Sequence, residues 1–257
     1  MSSGITIYEQ PLSERIRSFL RLEHLFAATD AAICGSSTWD SRSALAGMID
    51  ISDLLTRSDI KAELIKELER HLTVLEGWGS NPGVDQEKLA ATAKRIGGFI
   101  SELKLPGTQP GQRIRGDELL NQVRQRQSIP GGTCCFDLPS LHYWLNHTPP
   151  ERIARMNTWM EDLRILQQGI ETVLGFIRES TQPRQVSVDS GFYQQQLDSA
   201  SLVQIVRVMV PTESRSYAEI SGGKHRFSVR FFTQPATGQR AEQITTPLTF
   251  ELQCCGI

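Results

Sequence analysis

Apolar residues recur three and four apart from Leu12 to Ile177, and beyond Pro183 they recur two apart. This change of period constrains the chain most, because a stripe at 3.6 residues buries one side of a helix and a stripe at 2 buries one face of a strand. The boundary at Pro183 separates a helical domain, residues 12–182, from a β-strand domain, residues 183–257. Residues 1–11 include a short β-prone stretch with Ile5 and Tyr8 before Pro11, expected to return to the later sheet as an edge strand. The fold class read from this pattern is α+β, an N-terminal all-helical domain followed by a C-terminal antiparallel β-domain.

Within the helical part, caps and breakers set the elements. Ser13 opens a helix whose buried stripe is Leu12, Ile16, Phe19 and Phe26. An amphipathic segment over residues 42–57 carries Leu45, Met48, Ile49 and Leu55, and Ser58 is expected to cap a stronger one with Leu64, Leu68, Leu72 and Leu75. Gly77, Gly79 and Asn81-Pro82-Gly83 end it. Asp85 starts a helix through Leu89, Ile96, Ile100 and Leu103, closed by Pro106-Gly107, and Asp117 caps a shorter one through Leu119, Leu120 and Val123. Asp137-Leu138-Pro139 reads as another helix start. Pro149 and Pro150 introduce what reads as the longest helix, with Trp159, Leu163, Leu166, Ile170, Val173 and Ile177 on one stripe for about five turns.

In the strand part, residues 202–210 are apolar on both faces, the mark of a central strand. Phe227, Val229 and Phe231 alternate with Arg226, Ser228 and Arg230, and Leu248, Phe250 and Leu252 alternate with polar residues, so these strands have one wet face. Residues 185–195 read as a single weaker strand.

The net charge is −2 over 257 residues, so attraction to phosphate or carboxylate has to come from a local patch. No apolar run reaches the roughly 18 to 20 residues that cross a bilayer, and the N-terminus lacks a basic start followed by an apolar core, so a cytoplasmic protein without membrane insertion is expected. Five cysteines include the adjacent pairs Cys134-Cys135 and Cys254-Cys255, which read as thiols. With His142 or His225 these thiols make a poor zinc site, since adjacent cysteines in an extended chain point opposite ways. A catalytic thiol lacks an orienting partner and oxyanion donors in any recognisable motif. No cofactor or metal is expected.

An ordered set of motifs runs nearly end to end: Glu9-Gln10-Pro11-Leu12 with Arg17 and Leu20-Arg21; Ala62 to Leu68; Pro82 to Gln86; Val123 to Arg126; Ser128 to Gly132; Phe136-Asp137-Leu138-Pro139. Leu141-His142 with Trp144-Leu145, Gly191-Phe192-Tyr193-Gln194, Ile220-Ser221-Gly222, Arg226-Phe227 with Arg230-Phe231, and Phe250-Glu251-Leu252 before Cys254-Cys255 complete it. In this set the chain resembles the ZapD family, the Z-ring-associated proteins D of bacterial cell division. The resemblance implies a helical domain followed by a β-domain, a homodimer and no enzymatic activity. It also implies binding of the C-terminal tail of FtsZ in a positively charged cleft, cross-linking of FtsZ filaments into bundles, and a place at the midcell division site.

Physical chemistry selects the residues for such a task. Arg17, Arg21 and His24 follow helical spacing on one face, away from Ile16 and Phe19. On a strand read over residues 224–232, Lys224, Arg226, Ser228 and Arg230 share the face opposite Phe227, Val229 and Phe231. Arg113, Arg115, Arg124 and Arg126 form a third basic cluster. A planar guanidinium holds a carboxylate with two hydrogen bonds and still lies against apolar groups. The resemblance adds Arg57 and His142, while Glu118 departs from a position that is basic in the family. The tail-binding set expected from the sequence is thus Arg17, Arg21, Arg57, Arg115, Arg126, His142, Lys224, Arg226 and Arg230. The alternative is a nucleic-acid-binding module using the same basic surface, disfavoured by the slight net acidity and the lack of an aromatic stacking array.

Overall fold

The computed structural model describes residues 4–79, 83–198 and 202–257. The chain divides into two compact units, one of Met1–Arg17 with Leu174–Ile257 and the other of Ser18–Val173. Helices precede antiparallel sheets, and the N-terminal strand joins one of those sheets, as the change of period predicts.

The helices are α1 (Glu14–Ile33), α2 (Thr38–Arg57), α3 (Ile60–Gly77), α4 (Gln86–Lys104), α5 (Gln112–Gly116), α6 (Glu118–Gln127), α7 (Pro139–Leu145), α8 (Pro149–Met160) and α9 (Arg164–Glu179). Ser13, Asp85 and Asp117 accept hydrogen bonds from the first-turn amides of α1, α4 and α6. The expectation for Ser58 is corrected: Asp59 caps α3, its carboxylate accepting from the Ala62 amide at 3.0 Å. A carboxylate does the same work with full charge against the positive helix end. The start of α2 lies earlier than residue 42, at a reciprocal box in which Ser37 Oγ accepts from the Asp40 amide and Asp40 accepts from the Ser37 amide. The long helix expected after Pro149 is broken by a 3₁₀ turn over Glu161–Leu163, so α1 and α2, with 20 residues each, are the longer ones. Its stripe survives the break, because a 3₁₀ turn shifts the phase of the helix only locally. Trp159, Leu163, Leu166, Ile170 and Val173 are all buried. Asn81-Pro82, read as part of the end of α3, lies outside the described residues.

In the other unit, β1 (Ile5–Pro11), β4 (Val203–Pro211), β8 (Leu248–Gly256) and β2 (Arg184–Val188) form one sheet in the order β1-β4-β8-β2. A second sheet has the order β3-β6-β5, from β3 (Phe192–Gln196), β6 (Arg226–Thr233) and β5 (Ser216–Gly222), and the two-residue β7 (Glu242–Gln243) also pairs with β6. Every pairing is antiparallel. The single strand expected over residues 185–195 is two strands in different sheets, because Asp189-Ser190-Gly191 turns the chain from one sheet to the other. Inner faces of the two sheets share one core that includes Val206, Val208, Phe227, Val229, Phe231, Phe250 and Leu252. The rings of Phe231 and Phe250 meet across it at 4.8 Å. Burying each of these aromatics contributes about 2–3 kcal/mol by area, enough to make β6 a stiff support.

On the first sheet's other face, Glu9 of β1 binds Arg178 with two hydrogen bonds of 2.9 and 2.7 Å. Arg207 of β4 sits beside the same carboxylate, and Gln253 of β8 donates to the Arg178 carbonyl at 2.7 Å. The Glu9 motif thus ties the edge strand to the end of α9.

Candidate functional site

In the strand unit, alternation along β6 points Phe227, Val229 and Phe231 inward and leaves Arg226 and Arg230 exposed on the opposite face. Register places Arg230 directly between Phe192 of β3 and Glu219 of β5, Ser228 between Gln194 and Ser221, and Arg226 opposite Gln196. Directly opposed residues lie about 5 Å apart at Cβ and share a face. Among the described residues, Glu219 supplies the one carboxylate on the outward positions of β3, β5 and β6. Lys224, expected on the strand, stands instead in the turn between β5 and β6, because Gly223 donates to the Arg226 carbonyl at 3.0 Å and closes a hairpin there. The turn and the adjoining outward face border an open bay of about 440 Å³, lined by Gln194, Ser221, Lys224, His225, Arg226 and Ser228. Lys224, Arg226 and Arg230 form no ion pair with a described residue. A bay rimmed by cations, amides and hydroxyls, without a nucleophile oriented by a base, fits anion binding rather than covalent chemistry.

The other expected residues fall into two groups. Arg21 and Arg57 are exposed, His142 is exposed in the last turn of α7, and Arg115 is half-buried; none has a charged partner among the described residues. Arg57 ends α2, where a cation also complements the negative helix end. Arg115 borders a second bay of about 430 Å³, with Leu55, Ser58, Ile60, Thr108 and Pro110. By contrast, Arg17 donates to Glu14 at 3.1 Å and Arg126 pairs with Asp137 at 3.4 Å. Of the third basic cluster, Arg113 pairs with Glu161 at 2.9 Å and Arg124 with Asp53 at 3.2 Å, so much of its charge is met within the chain. These partners lie up to 71 positions away in sequence, and no local spacing announces them.

The thiols bear on the enzymatic readings. Burial pushes the Cys255 thiol up to about 11 and raises Cys254 as well, so neither is a thiolate at neutral pH. Cys255 is fully buried, while Cys254 packs at the margin of the inter-sheet core, the opposed directions that alternation predicts. Among the described residues, no group of three or more His, Cys, Asp or Glu side chains is placed to hold a metal ion. No helix of the described residues is long and apolar enough to cross a membrane.

Sequence reasoning passed over Phe192 and Gln194 as side chains, although the motif that contains them stood out. Their signal is the period of two along residues 192–196, which sets them on the face opposite Tyr193.

Comparison with known proteins agrees with the motif set. The family model described as ZapD, cell division protein, matches residues 20–230. The cell division protein ZapD of Methylococcus capsulatus is 39% identical over 249 residues, which cover 97% of each chain. A match of this extent reaches through both the helices and the cationic strand, and the chain therefore belongs to the ZapD family of cell division proteins.

Proposed function

We propose that this chain binds the C-terminal tail of FtsZ and, as a homodimer, cross-links FtsZ filaments into bundles at the midcell division site. It works in the cytoplasm as an adaptor rather than an enzyme. The observation that carries this reading is the set of cations Lys224, Arg226 and Arg230, held on and beside a strand whose inner face is buried, with Glu219 as the one carboxylate on the outward positions and no ion pair to any described residue. Unpaired like charges on a rigid support repel, and an acidic segment laid along them removes that repulsion at little cost in ordering the receptor. Membership in a family of cell division proteins supports a partner within the division machinery.

Arg17, Arg21, Arg57, Arg115, Arg126 and His142 complete the proposed tail-binding set. Arg17 and Arg126 must first loosen from Glu14 and Asp137, so they are expected to contribute less than Arg226 and Arg230. The deciding experiment is low-speed pelleting of FtsZ filaments with the double variant Arg226→Glu plus Arg230→Glu. Bundles should fail to pellet while the variant keeps the wild-type melting midpoint. Unchanged pelleting would remove this strand from the site.

A further inference from the structure

The motif Gly191-Phe192-Tyr193-Gln194 divides by face. Gly191 is required by close approach: a Cβ there would lie 2.4 Å from the Ile244 carbonyl oxygen, to which its amide donates at 2.7 Å. Tyr193 turns inward, its ring 5.7 Å from Phe250 and its hydroxyl donating to Gln195 at 2.8 Å. Packing therefore accounts for those two residues and leaves Phe192 and Gln194 unexplained. Both point outward, with Phe192 40% exposed, and they stand directly opposite Arg230 and Ser228. An exposed aromatic at the first position of an edge strand contributes little to folding, and its position beside a cation suits recognition.

We infer that Phe192 and Gln194 form a specificity lane beside the cations of β6, reading an apolar side chain and a backbone amide next to a carboxylate of the bound peptide. The inference rests on the tail-binding reading and adds a requirement to it. Charge alone does not select the ligand; it must carry an apolar residue within about one position of its acid, because Phe192 and Arg230 stand about 5 Å apart. Arg226 and Arg230 are four residues apart on the strand, about 13 Å. An extended peptide with acidic groups four positions apart spans both, and its middle residue then passes Gln194. The ligand class is a short extended segment with separated acids and an apolar residue flanking one of them.

The test measures fluorescence anisotropy of a labelled synthetic FtsZ tail peptide against the full-length protein. A second peptide keeps every charge and has serine in place of its apolar residues. Phe192→Ser should weaken the intact tail about tenfold, equally at low and high salt, since apolar contact is not screened. Phe192→Leu should recover most of that loss, and the serine-substituted tail should bind wild type and Phe192→Ser alike. Equal binding of the intact tail by wild type and Phe192→Ser overturns the inference, and leaves the tail reading standing if Arg226→Glu plus Arg230→Glu abolishes binding. If that double variant also binds normally, the tail reading itself fails. A loss confined to a single-stranded oligonucleotide probe would assign Phe192 to base stacking and equally overturn the inference. Matching melting midpoints keep folding out of the comparison.

Discussion

Glu9 shows how much of a motif can be structural. Its carboxylate takes two hydrogen bonds from Arg178, and Arg207 Nε lies 2.8 Å from Oε1 without the alignment of a hydrogen bond, so that contact is ionic. Replacing Glu9 by Gln keeps the shape and removes the negative charge that the Arg178 and Arg207 guanidiniums share. About 2 kcal/mol of stability should be lost, read as a lower urea midpoint, with Arg226 and Arg230 of β6 untouched. Arg152 makes the complementary case in the helical unit. It is 4% exposed and has no carboxylate partner among the described residues; it donates instead to Ser41 Oγ and to the carbonyls of Leu145, His147 and Ser36. One guanidinium thereby joins the turn at Ser36 to the turn at Leu145–His147. Arg152→Ala should cost about 3–5 kcal/mol by denaturation, and Arg152→Lys should restore little, since an ammonium cannot span four acceptors in a plane.

Two helices begin at reciprocal caps whose acids titrate. Hydrogen bonds from Ser37 hold Asp40 below the usual carboxylate range, and those from Thr148 do the same for Glu151 at the start of α8. Both groups have a folded-state pKa below the unfolded one. Their contribution is complete above the ordinary carboxylate pKa and disappears as pH falls through the depressed folded values. The melting midpoint should decline below about pH 4, and Asp40→Asn with Glu151→Gln should lower the neutral-pH midpoint and flatten that decline. Such elements were legible wherever one chemical role dominated. The Asp85 and Asp117 caps, the buried stripe from Trp159 to Val173 and the central strand over residues 203–211 all follow from period and capping chemistry. Misreadings arose where two local solutions are nearly degenerate. Ser58 and Asp59 are adjacent capping residues, and only the fold shows which one aligns with the helix. A 3₁₀ turn preserves the apolar stripe and so hides the break between α8 and α9. β2 and β3 have only five residues each, and the inward phase moves from Val186 and Val188 to Tyr193 across the intervening turn, a shift that a single-strand reading over residues 185–195 overlooks. At the site, period two on β6 revealed Arg226 and Arg230, whereas the long-range partners of Arg113 and Arg124 left no trace in spacing.

At the scale of the whole molecule, the proposed bundling depends on valence as much as on charge. A receptor with one strand site decorates a filament, and joining two filaments takes a pair of sites that a two-fold axis supplies without further sequence. If each tail binds at about micromolar strength, near −8 kcal/mol, a second capture becomes intramolecular and the bridge gains about 10²- to 10⁴-fold in avidity. Valence and charge then separate in a mixed dimer, one protomer wild type and its partner carrying Arg226→Glu plus Arg230→Glu. That species should still sediment with FtsZ filaments at high speed, because one site remains, and should fail to pellet them at low speed, because no bridge forms. Raised salt should act on both readouts, dissolving wild-type bundles before it strips single dimers from filaments, since screening lengths fall from about 10 Å at 0.1 M to about 3 Å at 1 M and the bridge uses each contact twice. A mixed dimer that bundled as well as wild type would show that bridging uses a surface other than the paired strands, and would leave Arg226 and Arg230 as attachment residues alone.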